Sequence, residues 1–392
     1  MIEPGTYNET LNVTEQVTLE SDPALSGSAA NTILNAAGYS NGIAIMGANA
    51  SGTVIKGLTI ENSNNEGIFV QNSNNVSILN NIVTKTGLTP NSKINEDKGI
   101  ELIGTAHGLV ANNTLTDNGG GIGLADNGAI NPGAPAPAGT AAPSFANVLR
   151  NNTISINKHA CGIVVAAYNP GEGVIDNTVV GNNVSLSPAG IVVAADVPGT
   201  TAQGNSVIDN TSSNNFLPGI ILHSNTPGDV VTNNSIIGNT LSGNKADPEV
   251  KADAGPTGII AIGAVDPVTH TLIAGNMISN ETYGIYLANS PGVLGLTGNQ
   301  FASTVQIPIT PSTPQTIFPL LPMQVNTGHH VAYFYAGVWP GKAGMVAIAK
   351  YSANGQLISV YSQPYSSTLS SHIGSMADGT YLGAGHYTIP LS

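Results

Sequence analysis

The residues best suited to chemistry are His159, Tyr168, Asp196 and His223, which cluster over three adjacent coils of a glycine-led repeat. A histidine held by a carboxylate can take a proton from a ligand, and a phenol can supply one to a leaving group. In that scheme His223 is the base, Asp196 orients it, Tyr168 is the acid and His159 lies in the same group of repeats. A polysaccharide lyase or epimerase removes a proton beside a carboxylate and also needs a cation to neutralise the sugar acid. Arg150 is the only arginine in the chain, so that cation is hard to find. A glycosidase would instead use two carboxylates about 5–10 Å apart. Asp126, Asp196 and Asp266 are too widely spaced along the repeat to pair, and Asp176 and Asp209 sit beside asparagines in turns. Asp247, Glu249 and Asp253 form an acidic insertion whose oxygens suit calcium, although a solvated loop is the plainer reading. His329 and His330 are consecutive, so on a strand they face opposite sides and cannot chelate together. No other cofactor is expected. These weak clusters favour a protein without catalysis over a lyase or epimerase.

The element that would position these residues is a short strand opened by glycine. Gly42, Gly67, Gly99, Gly121, Gly162, Gly190, Gly219, Gly258 and Gly284 each start such a run. Within a repeat, Gly67-Ile68-Phe69-Val70 is followed by Val76-Ser77-Ile78 and then Asn80-Asn81-Ile82-Val83. The same order recurs from Gly219 and from Gly284, so each repeat holds three short extended runs between Gly/Asn turns. No segment shows helical spacing over ten or more residues. Stacked repeats predict an all-β solenoid, a parallel β-helix of about ten coils with three sheets around an aliphatic interior. At about 4.8 Å per coil the rod is on the order of 50 Å long.

Asparagine pairs at Asn80-Asn81, Asn112-Asn113, Asn151-Asn152, Asn182-Asn183 and Asn233-Asn234 mark the turns. Asn tolerates the left-handed conformation, and its amide can bond to the asparagine of the next coil. Asn75, Asn112, Asn151 and Asn233 also match the glycosylation pattern, which the turn role already explains.

Alternation along the glycine-led strands puts Phe69, Val164, Val192, Ile221, Ile260 and Tyr286 on the outer face. An apolar stripe of that length is too large to leave in water. The chain's own insertions, its C-terminal part, another subunit or an apolar ligand would cover it. Insertions at 87–97 and 243–257 precede this strand and 127–145 follows it, which would wall a groove. The stripe and an uncapped first coil, itself a template for strand pairing, together predict self-association into an oligomer or filament.

Composition narrows the partners. The chain has 392 residues, a net charge of −13 and only ten Lys and Arg, so it lacks the basic track that nucleic acid requires. No apolar run approaches the roughly 18 residues that span a bilayer. A single cysteine, Cys161, excludes an intrachain disulfide framework and reads as a buried structural thiol. No leader is visible before Glu3-Pro4-Gly5-Thr6-Tyr7, so either it was removed or export takes another route, as for viral proteins.

The Glu3-to-Glu9 opening, the Gly-Ile starts and the Asn-Asn turns resemble the pectin-lyase-like superfamily, especially its NosD-like β-helix repeats. The resemblance implies a right-handed coil over roughly residues 1–305, an extracellular or cell-envelope location, and dealings with polysaccharide or glycan. Its catalytic signatures are absent: no polygalacturonase-type Asp-Asp, Gly-His-Gly or Arg-x-Lys motif, and no pectate-lyase-like arginine. Five prolines make 306–322 an extended linker or covering strand. Residues 323–392 read as a small antiparallel, sandwich-like β-domain with a hairpin turn at Asn354-Gly355.

Overall fold

The computed structural model describes residues 1–88, 97–128, 140–197, 199–224, 228–246, 255–263 and 266–311, and the backbone of four later strands. The chain is a right-handed parallel β-helix. Two sheets have eleven strands each and a third has nine. The second sheet carries the glycine-led strands, from Leu11–Val13 through Ile163–Ala167, Ile191–Ala195 and Ile220–Ser224 to Ile307–Ile309. Its last strand pairs with Tyr283 and Ile285, so the start of the proline-rich segment is part of the solenoid.

The three sheets expected become four. Ser144–Phe145, Val174–Ile175, Thr201–Gln203, Val230–Thr232 and Val268–Thr269 stack as a separate five-stranded sheet. It begins where the coils lengthen, and Val174, Ala202, Val231 and Val268 add to the interior from this fourth side. Ile68, Ile191 and Ile285 share that one continuous interior and are fully buried. Beyond residue 311, Val331–Tyr335, Met345–Tyr351, Leu357–Pro364 and Ala384–Thr388 form one antiparallel four-stranded sheet. The hairpin expected around Asn354 is present as the pairing of its second and third strands.

The asparagine pairs split into two jobs. The first member turns the corner: Asn80, Asn112, Asn151 and Asn233 lie at φ between 55° and 57°. In those four pairs the second is buried and joins a ladder. Asn81, Asn113, Asn152, Asn182, Asn210, Asn239, Asn276 and Asn299 bond rung to rung at 2.8–3.1 Å. From Asn113 onward each Oδ1 accepts a backbone and a side-chain N–H from the rung before, while that of Asn81 accepts the Leu58 backbone N–H. Asn234 belongs to a second ladder with Asn147, Asn177 and Asn205. Buried amides are tolerable only when satisfied, and here the repeat satisfies them.

The leading glycines are needed for room. A Cβ on Gly42 would stand 2.6 Å from the carbonyl oxygen of Gly67, and one on Gly67 would stand 2.7 Å from that of Gly99. The line continues through Gly162 and Gly219, so successive coils touch backbone to backbone at this edge.

Candidate functional site

The outer face of the second sheet is closed, not open. Phe69, Val192, Ile221, Ile260 and Tyr286 are at most 6% exposed in the single chain and pack with Ile103, Ala166, Val197 and Ile262 in a second apolar cluster. Val164 and Cys161 are half-buried at its margin, so the thiol is less enclosed than expected. These positions are shielded within the single chain, one of the covers expected for the stripe. Alternation shows which side chains point outward but not what lies over them.

Polar groups gather where these strands end. Register pairs Ala125 with Ala166, Ala166 with Ala194, and Ala194 with His223. Asp126, Tyr168 and Asp196 therefore follow their strands on successive coils. His223 Nε2 lies 3.4 Å from Asp196 Oδ1, with side chains 23% and 14% exposed. That distance is a polar contact, longer than an aligned hydrogen bond. It leaves Nδ1 as the nitrogen directed away from the carboxylate. The structure thus unites His223 with Asp196 and places Tyr168 one coil away. His159 is not brought in. It precedes the Ile163–Ala167 strand that Tyr168 follows, so the length of a strand, about 17 Å, separates them. Asp176 and Asp209 are exposed turn residues with positive φ and stay out of any site.

Asp126 is fully buried and accepts N–H bonds from Tyr168 (2.8 Å) and Asn169 (3.1 Å). Desolvation nevertheless outweighs those bonds and pushes its carboxyl up from 3.8 to about 7. Asp266, which bonds to the Gly228 amide, is also raised by burial. A raised carboxyl stabilises the fold below its unfolded value and withdraws that support as pH rises through its folded value. For Asp126 the loss between pH 4 and 7 is about 4 kcal/mol at most. Asp126→Asn should flatten the fall in melting temperature over that range while costing about 1 kcal/mol at pH 4. Melting curves at a series of pH values check this; an unchanged slope contradicts it.

A second polar group lies at the opposite edge of the sheet, and the motif search did not find it. Glu66, Asp97, Lys98 and Glu101 are all at most 5% exposed. Burial, then Glu101 and Asp97, hold the Glu66 carboxyl well above the usual range, and Glu101 hydrogen-bonds to it. Lys98 and Glu101 pass over Gly123, where a Cβ would meet Lys98 Cγ at 3.1 Å and Glu101 Oε1 at 3.2 Å. The available signal was charge density: Asp97, Lys98 and Glu101 adjoin an insertion in a chain only 8% charged.

Asp247, Glu249 and Asp253 lie outside the described residues, as do His329, His330 and Trp339. No helix among the described residues is long and apolar enough to cross a membrane.

Fold and site define a right-handed parallel β-helix with a His–Asp pair on one sheet. Residues 24–207 match the family described as right-handed beta helix region, and residues 177–318 match that described as periplasmic copper-binding protein (NosD). No curated protein matches the chain. Among solved structures it is similar to the A-module of a mannuronan C-5 epimerase of Azotobacter vinelandii, at 16% identity and TM-score 0.48, covering 80% of this chain and 90% of that one. It is also similar to the surface adhesin PfbA of Streptococcus pneumoniae, at 11% identity and TM-score 0.47, covering 91% and 90%. The Dettilon tailspike protein is similar at 17% identity and TM-score 0.45, covering 92% and 71%.

The copper of the NosD description does not fit the described residues. Copper sites draw on converging imidazole, thiolate or thioether groups. His107 packs edge-on against Phe145, His270 approaches Thr232 and His223 meets Asp196, each on a different coil. No three His, Cys, Asp or Glu side chains among the described residues converge on one point.

Proposed function

We propose that this chain is an extracytoplasmic β-helix protein that holds a glycan against the second sheet at His223 and Asp196. The observation that carries this reading is the His223–Asp196 contact, a partly exposed polar pair at the edge of a largely apolar face. Such a pair can anchor sugar hydroxyls and exchange a proton with them. The pectin-lyase-like fold and the periplasmic description of the NosD family support the setting. A panel of acidic, neutral and amino polysaccharides tests it by calorimetry and product analysis. His223→Ala should weaken binding of the preferred member about tenfold, the loss expected for one charge-assisted hydrogen bond. Unchanged affinity and unchanged products would remove the site.

A further inference from the structure

Asp126 is a titratable group where later coils place none. It follows Ala125, the register partner of Ala166, so it takes the rung position held further on by Ala167, Ala195 and Ser224. Ala167 and Ala195 belong to the aliphatic interior, and Asp126 is as fully buried as they are. Its carboxylate grips one piece of the next coil. Oδ1 accepts the Tyr168 N–H at 2.8 Å and Asn169 Nδ2 at 3.2 Å, while Oδ2 accepts the Asn169 N–H at 3.1 Å. These two residues open the turn 168–172, in which the Glu172 N–H donates to the Asn169 carbonyl at 3.1 Å. Pro170 and Gly171 at its tip are exposed to water. The titratable groups facing the carboxyl are Tyr168 and Glu172 on the turn, with Asp196 one rung beyond. Gly104, its neighbour on the coil before, brings no side chain, and residues 129–139 after it contain nothing ionisable. No cation among the described residues pairs with it. The ladders show that an asparagine can accept buried N–H groups in this fold without carrying a charge. What a carboxylate adds is a proton that can be bound and released.

We infer that Asp126 is a proton-operated latch on the turn 168–172, holding it shut when protonated and letting it open when ionised. The direction follows from burial. A shut turn keeps the carboxyl out of water and so raises its hold on a proton, whereas an open turn lets water solvate the charge. Protons therefore favour the shut turn. The carboxyl stands at about 7 when shut and at its ordinary 3.8 when solvated. Across that window the shut turn loses ground about tenfold per pH unit, and no further above it. The latch is independent of the glycan reading, although the turn adjoins the backbone of Asp196, whose N–H donates to the Ala167 carbonyl at 3.1 Å.

Hydrogen exchange of the full chain, read at single amides from pH 4 to above 7, tests it. After correction for intrinsic exchange, protection of the Tyr168 and Asn169 amides should fall about a thousandfold across the window and then level off. It should not respond to low urea, because a local opening exposes little surface. Amides of the interior residues Val193 and Leu222 open with the whole fold and should respond. Asp126→Asn should leave the turn amides flat with pH. The carboxyl carbon signal of Asp126 in the unsubstituted chain should titrate near 7, which carries the assignment even where that variant fails to fold. Turn protection that is flat across the window would overturn the latch. So would turn amides that exchange only together with Val193 and Leu222, or an Asp126 carboxyl that titrates in the ordinary range.

Discussion

Gly121→Ala should destabilise the protein by about 3 kcal/mol or more, although it adds a single methyl group. The new Cβ would run into the carbonyl oxygen of Gly162 on the next coil and Ile154 Cγ2 in the interior. Neither can retreat: that carbonyl accepts the Ile122 amide at 2.9 Å, and Ile154 is fully buried. The cause is crowding and not conformation, because Gly121 is outside the positive-φ glycines. Gly38→Ala supplies the contrast. Gly38 has φ 87° with nothing within 4 Å of an added Cβ, so only the left-handed penalty of about 1–2 kcal/mol applies. Urea titrations of the two variants separate the causes. Equal losses would mean that the glycine line is a matter of backbone freedom.

Asn182→Ala should cost about 3–5 kcal/mol, since it opens the middle of the longest ladder. Asn182 Oδ1 accepts N–H bonds from the backbone and side chain of Asn152, both at 2.9 Å. Its Nδ2 donates to Asn210 Oδ1 and to the carbonyl of Leu149, again at 2.9 Å. Alanine leaves the donors of Asn152 and the carbonyl of Leu149 buried without these partners. Asn151→Ala offers the comparison at an exposed corner with φ 55°, where only the turn preference is lost. A larger loss from Asn151→Ala than from Asn182→Ala would reverse the assignment of the two roles.

These two residue types also show how far the sequence reaches. Regular Gly-Ile starts disclose the coil, because stacking leaves no space for a side chain at that edge. Tandem asparagines disclose the turn but hide which member is buried, since both have the same composition and nearly the same position. Asn182-Asn183 illustrates this: Gly181 takes the corner at φ 65°, Asn182 becomes the rung and Asn183 starts a strand. The His223–Asp196 contact was legible because a solenoid converts equal phase in the repeat into proximity between coils. His159 shares the glycine repeat but at the opposite end of its strand, a distinction that residue type does not carry. The Glu66–Glu101 pair eluded the reading because outward alternation says nothing about burial.

Chemical-shift mapping of the full chain, titrated with the oligosaccharide that binds most tightly, tests the central claim most directly. Placement of the ligand at Asp196 and His223 predicts the largest changes at Tyr168, Asp196 and His223. It also predicts movement of the His223 imidazole signals, and their loss of response in Asp196→Asn. Perturbations centred on the first-coil strands or on the first sheet, with the His223 imidazole silent, would contradict it.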